Sequence, residues 1–398
     1  MRLRAIATGA GTILLFAIGV AADGRAHAAG IVDPLRDEFV QPSPSAARLD
    51  AALQRYAAIG FSGVVFVQKD GLVVLHKGYG LSDRTTGAQN RTDTPFPIGS
   101  LTKHFTAATI LRLQMEGMID TGDPVAKYVP NFHPAASSRK AAGKPTTVHD
   151  LLAGGDDGYR YASEIIATIS GGPYETCVAE RLLGPARMRR TWFLGGTPTD
   201  SIPIARGHSG PDATLRRISK LPGSGSLLSA IAGSLRKRAE NLAPVAPAMV
   251  EVAVPGADGM ISTAGDLFEW SLALAGDAVL SETARTQLFN PIDNSVSYGW
   301  RFERTARGTP RMSCTGDLRG YQSGIWIYPN DQLVVVLLAN NDMGWREVVR
   351  GTIETREVGR SYTFLFAVGG LVLLYLMMQG GMRRRVPYRW KRHGRAYP

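Results

Sequence analysis

Apolar residues recur at helical spacing from Leu101 through Phe105, Ala108 and Leu111 to Met115, so the stretch 96–118 predicts a helix with a buried stripe, entered through an apolar lead-in and Gly99. Upstream, a Pro/Ser loop at 41–45 precedes an amphipathic pattern over 46–58. Residues 61–68 and 72–79 read as strands, with Lys69-Asp70-Gly71 as their hairpin turn. The middle of the chain, about 120–290, is mixed and mostly helical: 148–152, 163–169, 174–183 and 264–273 fit helices, the last started by Ser262 or Thr263. A Gly/Ser/Arg-rich segment over 212–247 reads as a surface excursion containing one helix. The pattern then returns to strands at 298–303, 311–315, 321–328 and 332–338, with Pro329-Asn330-Asp331 as a turn, and closes with a helix over 343–357. Strands at both ends around a helical middle predict an α+β fold: one antiparallel sheet assembled from both termini and flanked by helices, plus a helical lobe. A site would lie in the cleft between lobes.

The two ends of the chain read differently from its body. Arg2 and Arg4, an apolar run over 13–22 and Ala26-His27-Ala28 have the layout of a secretory signal peptide over 1–28; an uncleaved anchor is the alternative, although the run is short for a span. Residues 29–358 form the body. The uncharged apolar run beginning at Tyr362 is followed at once by Arg383-Arg384-Arg385. This predicts a transmembrane helix over 361–382 and a basic cytoplasmic tail over 383–398, with the body periplasmic or extracellular.

Apportioning the charge removes a false lead. The formal net charge is +11, which by itself suggests a nucleic-acid partner. Residues 361–398 hold seven Lys or Arg and no acid, and residues 1–28 hold three Arg and one Asp, leaving 35 basic and 33 acidic residues in the body. The body is nearly neutral, no nucleic-acid partner is implied, and the basic tail is a topology signal that can also touch anionic lipid. Cys177 and Cys314 are the two cysteines; export would permit a disulfide, but two distant cysteines do not establish one. No Cys/His cluster has metal-ligand spacing and no cofactor fingerprint is present, so neither a metal nor a cofactor is expected. The histidines His104, His133, His149 and His208 are scattered without triad context.

The candidate chemistry sits at the head of the 96–118 stretch. Ser100 begins the predicted helix and Lys103 lies one turn on, so the two share a face. A serine needs a base within hydrogen-bond reach, and a desolvated lysine can serve. The same spacing occurs at Ser137 with Lys140 and Ser234 with Lys237, in polar stretches that read as solvated surface. The apolar entry and the glycine are what single out Ser100.

FPIGSLTKHFTAATILRLQMEGMID, Asp123-Pro124-Val125 with Tyr128-Val129-Pro130, Gly184-Pro185-Ala186-Arg187-Met188 with Thr191, GMISTAGDLFEW over 259–270, and Gly320-Tyr321-Gln322-Ser323 through Asn340 follow one another in order. Together they resemble the serine beta-lactamase and penicillin-binding-protein superfamily, in the branch of class C beta-lactamases, D-amino-peptidases and related esterases. The resemblance covers most of 46–345 and implies an acyl-enzyme mechanism on a small-molecule or peptide substrate. Ser100 would be the nucleophile and Lys103 its activator, with the amides of Ser100 and Asp317 as the oxyanion hole. The strand triplet beside it is Cys314-Thr315-Gly316, where the family usually carries Lys or His before Thr/Ser-Gly; a thiol cannot replace that charge, and Cys314 reads as a small hydrophobe. The family's loop before its Tyr-x-Asn motif is missing, since Leu151-Leu152 runs through Ala153-Gly154-Gly155-Asp156-Asp157-Gly158 almost directly into YRYASEIIATISGG. Two alignments stay open: Tyr161-Ala162-Ser163 as the relic of Tyr-x-Asn, making Tyr161 the lysine's partner in proton transfer, or Tyr159 as a later family tyrosine, with the motif lost. The expected function is therefore an exported, membrane-anchored serine hydrolase acting on an amide or ester. The alternatives are a non-catalytic descendant that binds peptidoglycan fragments or a membrane partner, and an internally truncated variant whose helical lobe folds poorly.

Overall fold

In the computed structural model the N-terminal hairpin forms as its sequence requires: Asp70 (φ 51°) and Gly71 (φ 81°) both take left-handed backbone between strands Gly63–Lys69 and Leu72–Tyr79, the twist a two-residue hairpin needs. Residues 32–132, 145–196, 203–209, 232–245, 254–292 and 295–358 are described. The predicted signal peptide, membrane span and basic tail lie outside them, as do His133, Ser137, Lys140 and much of 212–247. Among the described residues no helix is long and apolar enough to cross a membrane.

The eight strands of the main sheet are β1 (Phe39–Val40), β2 (Gly63–Lys69), β3 (Leu72–Tyr79), β4 (Val296–Ser297), β5 (Trp300–Arg304), β6 (Pro310–Leu318), β7 (Tyr321–Tyr328) and β8 (Leu333–Ala339), in spatial order β1-β3-β2-β8-β7-β6-β5-β4 and antiparallel throughout. The expected joining of the two termini occurs at β2 and β8, where Val65 faces Leu337 and Val67 faces Val335. β8 is apolar throughout and β2 from Val64 to Val67, because both faces of the sheet are covered there. On one face Val65 and Val67 pack with α1 (Pro44–Ala58) and α9 (Trp345–Glu357) through Leu49, Leu53, Trp345 and Val349. On the other, Val64 and Phe66 meet α7 (Ala264–Ala275) and the helical lobe, with Phe66 stacked on Phe268 at 4.4 Å between ring centroids.

The lobe is built on α2 (Thr102–Met115), α3 (Val148–Leu152), α4 (Asp156–Ser170) and α5 (Tyr174–Val178), the last continuing into a π turn over Ala179–Leu183; α6 (Ala232–Glu240) and α8 (Glu282–Leu288) complete the described helices. Two sequence expectations change. First, α2 is buried nearly all round rather than along a stripe: Thr102, Thr106 and Thr109 are buried, whereas Met115, assigned to the stripe, is 42% exposed. The threonines are admitted because they are satisfied, Thr106 Oγ1 donating to the Gly256 carbonyl at 2.7 Å and Thr109 Oγ1 to the Phe105 carbonyl at 2.9 Å. Second, the helix expected over 163–169 starts seven residues earlier, at Asp156, so only three residues separate it from α3. Gly158 permits this closeness: a Cβ there would stand 2.3 Å from the Leu151 carbonyl oxygen.

Candidate active site

Ser100 occupies a single 3₁₀ turn, Gly99–Leu101, from which α2 continues. Gly99 takes φ 56°, left-handed backbone that a side chain would strain. Strand β6 lies directly against this turn. A Cβ on Gly316 would come within 1.9 Å of the Ile98 carbonyl oxygen, and Ser323 Oγ, on the neighbouring β7, donates to that same carbonyl at 2.7 Å. Glycine at 316 thus lets the strand close on the Ser100 turn and brings Thr315, Gly316 and Asp317 alongside Ser100.

Lys103 Nζ donates to Ser100 Oγ at 3.1 Å and stands 2.5 Å from Asp156 Oδ1, the first residue of α4. It also lies 6.0 Å from the centroid of the Tyr159 ring. Behind it, His104 is wholly buried among Phe105, Trp300 and Trp270, with centroids 4.3, 5.2 and 5.8 Å away. Burial lowers the His104 pKa to about 3, which keeps the imidazole neutral. Ser100, Lys103, Tyr159, Arg301, Cys314 and Thr315 are among the walls of a cleft of about 190 Å³.

The two tyrosines left open by the sequence are separated by this geometry. Two positions on a helix are about 200° apart, so Tyr159 and Tyr161 cannot both face the cleft. Tyr159 faces it, but its hydroxyl donates to the Leu152 carbonyl at 2.8 Å and burial raises its phenol far above the ordinary range. Tyr161, expected as the lysine's partner, instead packs edge-on against Phe132 at 4.8 Å, with the Arg160 guanidinium 4.1 Å from its ring centroid. The side chain that meets Lys103 is Asp156, which sequence reasoning passed over as loop. Its signal was an acid directly after Gly154-Gly155, at the start of a helix.

Cys314 is 3% exposed, and burial pushes its thiol up to about 12, so it stands as a neutral wall of the cleft. Cys177 and Cys314 are both free and buried. The exposed Asp317 carboxylate accepts from Arg346 Nη1 at 2.8 Å and from Gln322 Nε2 at 3.2 Å. Arg346 Nη1 also donates to the Gly316 carbonyl at 3.0 Å, so the start of α9 clamps the Gly316–Asp317 backbone from behind. Arg346 and Arg301 were both missed from the sequence, because Arg301 is brought to the cleft by strand pairing and Arg346 by the packing of α9 behind β6. The other described histidines have structural settings: His149 Nδ1 is 2.7 Å from the Tyr298 hydroxyl, and His76 and His208 are buried. Ser234 and Lys237 both lie exposed on α6, away from any such surroundings.

A serine turn at the head of a mostly buried helix, a lysine bonded to that serine and a facing strand closed down by glycine are features of serine acyl-transfer enzymes. The family model described as Beta-lactamase matches residues 47–153 and 156–359, and the chain belongs to this family, a class of serine hydrolases. Among relatives, "Putative penicillin-binding protein PbpX" of Bacillus subtilis (strain 168) is 25% identical over 311 residues, 71% of each chain. Teichoic acid D-alanine hydrolase of Staphylococcus aureus (strain MRSA252) is 32% identical over 129 residues, 32% of this chain and 30% of that protein. Among solved structures, FmtA from Staphylococcus aureus superposes with a TM-score of 0.63 at 20% identity, covering 82% of this chain and 90% of that one. The D-amino acid amidase from Ochrobactrum anthropi SV3 complexed with D-phenylalanine gives 0.59 at 18% identity, covering 79% and 98%. At these identities the structural likeness speaks to the fold.

Proposed function

We propose that the chain hydrolyses an amide or ester through an acyl-enzyme on Ser100, with a D-amino-acyl ester or amide as the substrate class and a beta-lactam as a related acylating agent. The observation that carries this reading is the 3.1 Å bond between Lys103 Nζ and Ser100 Oγ beside the Thr315–Gly316 strand. Ser100 Oγ attacks the carbonyl, the amides of Ser100 and Asp317 receive the developing oxyanion, and water then releases the acyl group. The names of the relatives that act on teichoic acid D-alanine and D-amino acid amides support the substrate class. The sequence pattern at both ends supports an exported body, residues 29–358, tethered to the membrane by 361–382 with residues 383–398 in the cytoplasm.

A second reading, a catalytically impaired member that binds peptidoglycan fragments or a membrane partner, is favoured by the uncharged Cys314 and by the Tyr159 hydroxyl being spent on Leu152. One experiment addresses both. Intact cells expressing the full chain are treated with a fluorescent fluorophosphonate and with a fluorescent penicillin, then fractionated. A labelled band in the membrane fraction that vanishes in Ser100→Ala is expected, together with turnover of a D-alanyl ester. Equal labelling of both chains would remove Ser100 from the mechanism, and Ser100-dependent labelling without turnover would favour the binder.

A further inference from the structure

We propose that Asp156 is the proton-holding partner of Lys103, a positioning residue that acts on Ser100 through the lysine; this rests on the serine hydrolase reading above. An ammonium has no lone pair, so Lys103 paired as a cation cannot accept the Ser100 proton until it gives up one of its own. Asp156 Oδ1, 2.5 Å away, is placed to take it. The lysine side chain is only 18% exposed while that of Asp156 is 64% exposed, so the pair opens to water on its Asp156 side. A substrate seated over Ser100 and Lys103 takes the lysine out of water, and the loss of that hydration favours passing its proton to Asp156 at the rim.

The placement is built into the fold. Only Ala153, Gly154 and Gly155 separate α3 from α4, and Gly158 lets α4 press on the Leu151 carbonyl; this sets the first residue of α4 on Lys103. Asp156 makes no N-terminal cap bond of the kind that Thr147 and Thr263 make on α3 and α7, and Gly155 is the cap residue. The other titratable and charged groups around the pair are Asp258, whose carboxyl is raised chiefly by burial, further by Asp156 and lowered by Lys103, the Arg301 guanidinium in the cleft wall, and the neutral Tyr159 and Cys314.

The steps balance. Lys103 passes a proton to Asp156, and its lone pair takes the Ser100 hydroxyl proton as the Oγ–carbon bond forms and the carbonyl electron pair moves to oxygen. On collapse the departing amine or alkoxide takes a proton from Lys103, and Asp156 returns its proton to the lysine. Water repeats the sequence in place of Ser100 to cleave the acyl-enzyme.

The test is Asp156→Asn, which keeps an acceptor for Lys103 but holds no proton, compared with Asp156→Glu in the full chain. The probes are the rate of Ser100 labelling by a fluorophosphonate from pH 6 to 10 and hydrolysis of a D-alanyl ester. For Asp156→Asn, kcat and labelling at neutral pH fall about 10- to 100-fold with KM changed less than about twofold, and the rate climbs with pH because hydroxide must then strip the ammonium. Asp156→Glu recovers most of the neutral-pH rate. Asp156→Asn matching the unsubstituted chain in rate and pH profile overturns the inference while leaving Ser100 as nucleophile. A loss that is the same at every pH and shared by Asp156→Glu also overturns it, as a purely structural effect. Failure of Ser100-dependent labelling in the unsubstituted chain overturns the hydrolase reading and this inference together.

Discussion

At the scale of single residues, the site depends on where side chains are absent. Gly316 accommodates the Ile98 carbonyl, and an alanine there would put its Cβ 1.9 Å from that oxygen and 2.5 Å from Ser323 Oγ. The Ile98 carbonyl is backbone and cannot rotate aside, so the strand must back away from the Ser100 turn. Gly316→Ala is expected to slow Ser100 labelling by about 100-fold and to cost about 1–3 kcal/mol of stability; labelling kinetics and chemical denaturation read the two effects. An alanine variant that labels at the normal rate would mean the strand does not set the attack geometry. Ser100 and Lys103 were legible in the sequence because they sit three apart on one helix turn, a local relation fixed by helical geometry. Asp156 was not, because its meeting with Lys103 spans more than fifty positions and depends on how closely α4 packs on α3.

At the scale of elements, the sheet and its helices supply what the nucleophile turn lacks. Strand β6 carries Cys314, Thr315 and Gly316 to the cleft, and Arg346 at the start of α9 holds the Gly316 carbonyl and the Asp317 carboxylate together. The arginine side chain is 11% exposed and its Asp317 partner 45%, so the pair is partly screened and contributes at the low end for a charged hydrogen bond. Arg346→Met keeps the apolar stem but frees the backbone at 316–317. Its expected effect is a loss of about 1.5 kcal/mol and a larger fall in kcat than rise in KM, measured by urea unfolding and by ester hydrolysis. A KM effect alone would indicate that Arg346 binds substrate instead of aligning the strand. Element boundaries were legible wherever the polar and apolar pattern matched burial, as for Tyr321–Tyr328 and Val148–Leu152. The pattern misled at α2, where buried threonines bonded to carbonyls look like a solvent face.

At the scale of the whole molecule, buried histidines and buried carboxyls set opposing acid responses. His76 and His104 are held near 4 and near 3, both chiefly by burial, against an ordinary value of 6.5. Both stay neutral in the folded chain while the unfolded chain binds protons, so their contribution is complete above 6.5 and is lost as pH falls toward those values. Asp266, raised to about 6 by burial, acts in the opposite sense between its ordinary value and 6, because there the folded chain binds the proton. His208 is shifted down in the same sense as the two histidines, and Asp258 and Glu269 are raised by burial like Asp266, so the histidine contribution is read by difference, from one substitution. His104→Phe should lower the slope of stability against pH, below the ordinary histidine value, by up to about 1.4 kcal/mol per pH unit, read from urea unfolding at several pH values. An unchanged slope would mean that His104 is protonated in the folded chain.

By itself the sequence determined the class of fold, the both-ended assembly of the sheet and the Ser100–Lys103 pair. These follow from periodicity, turn chemistry and spacing within one helix, all of which are local. Only the tertiary structure decided which residues surround that pair: Tyr159 in place of Tyr161 at the cleft, Asp156 on the lysine, and Arg346 behind the Gly316–Asp317 strand. Each of those contacts joins distant segments, and each is fixed by how closely two backbones approach, at Gly158 on the Leu151 carbonyl and at Gly316 on the Ile98 carbonyl.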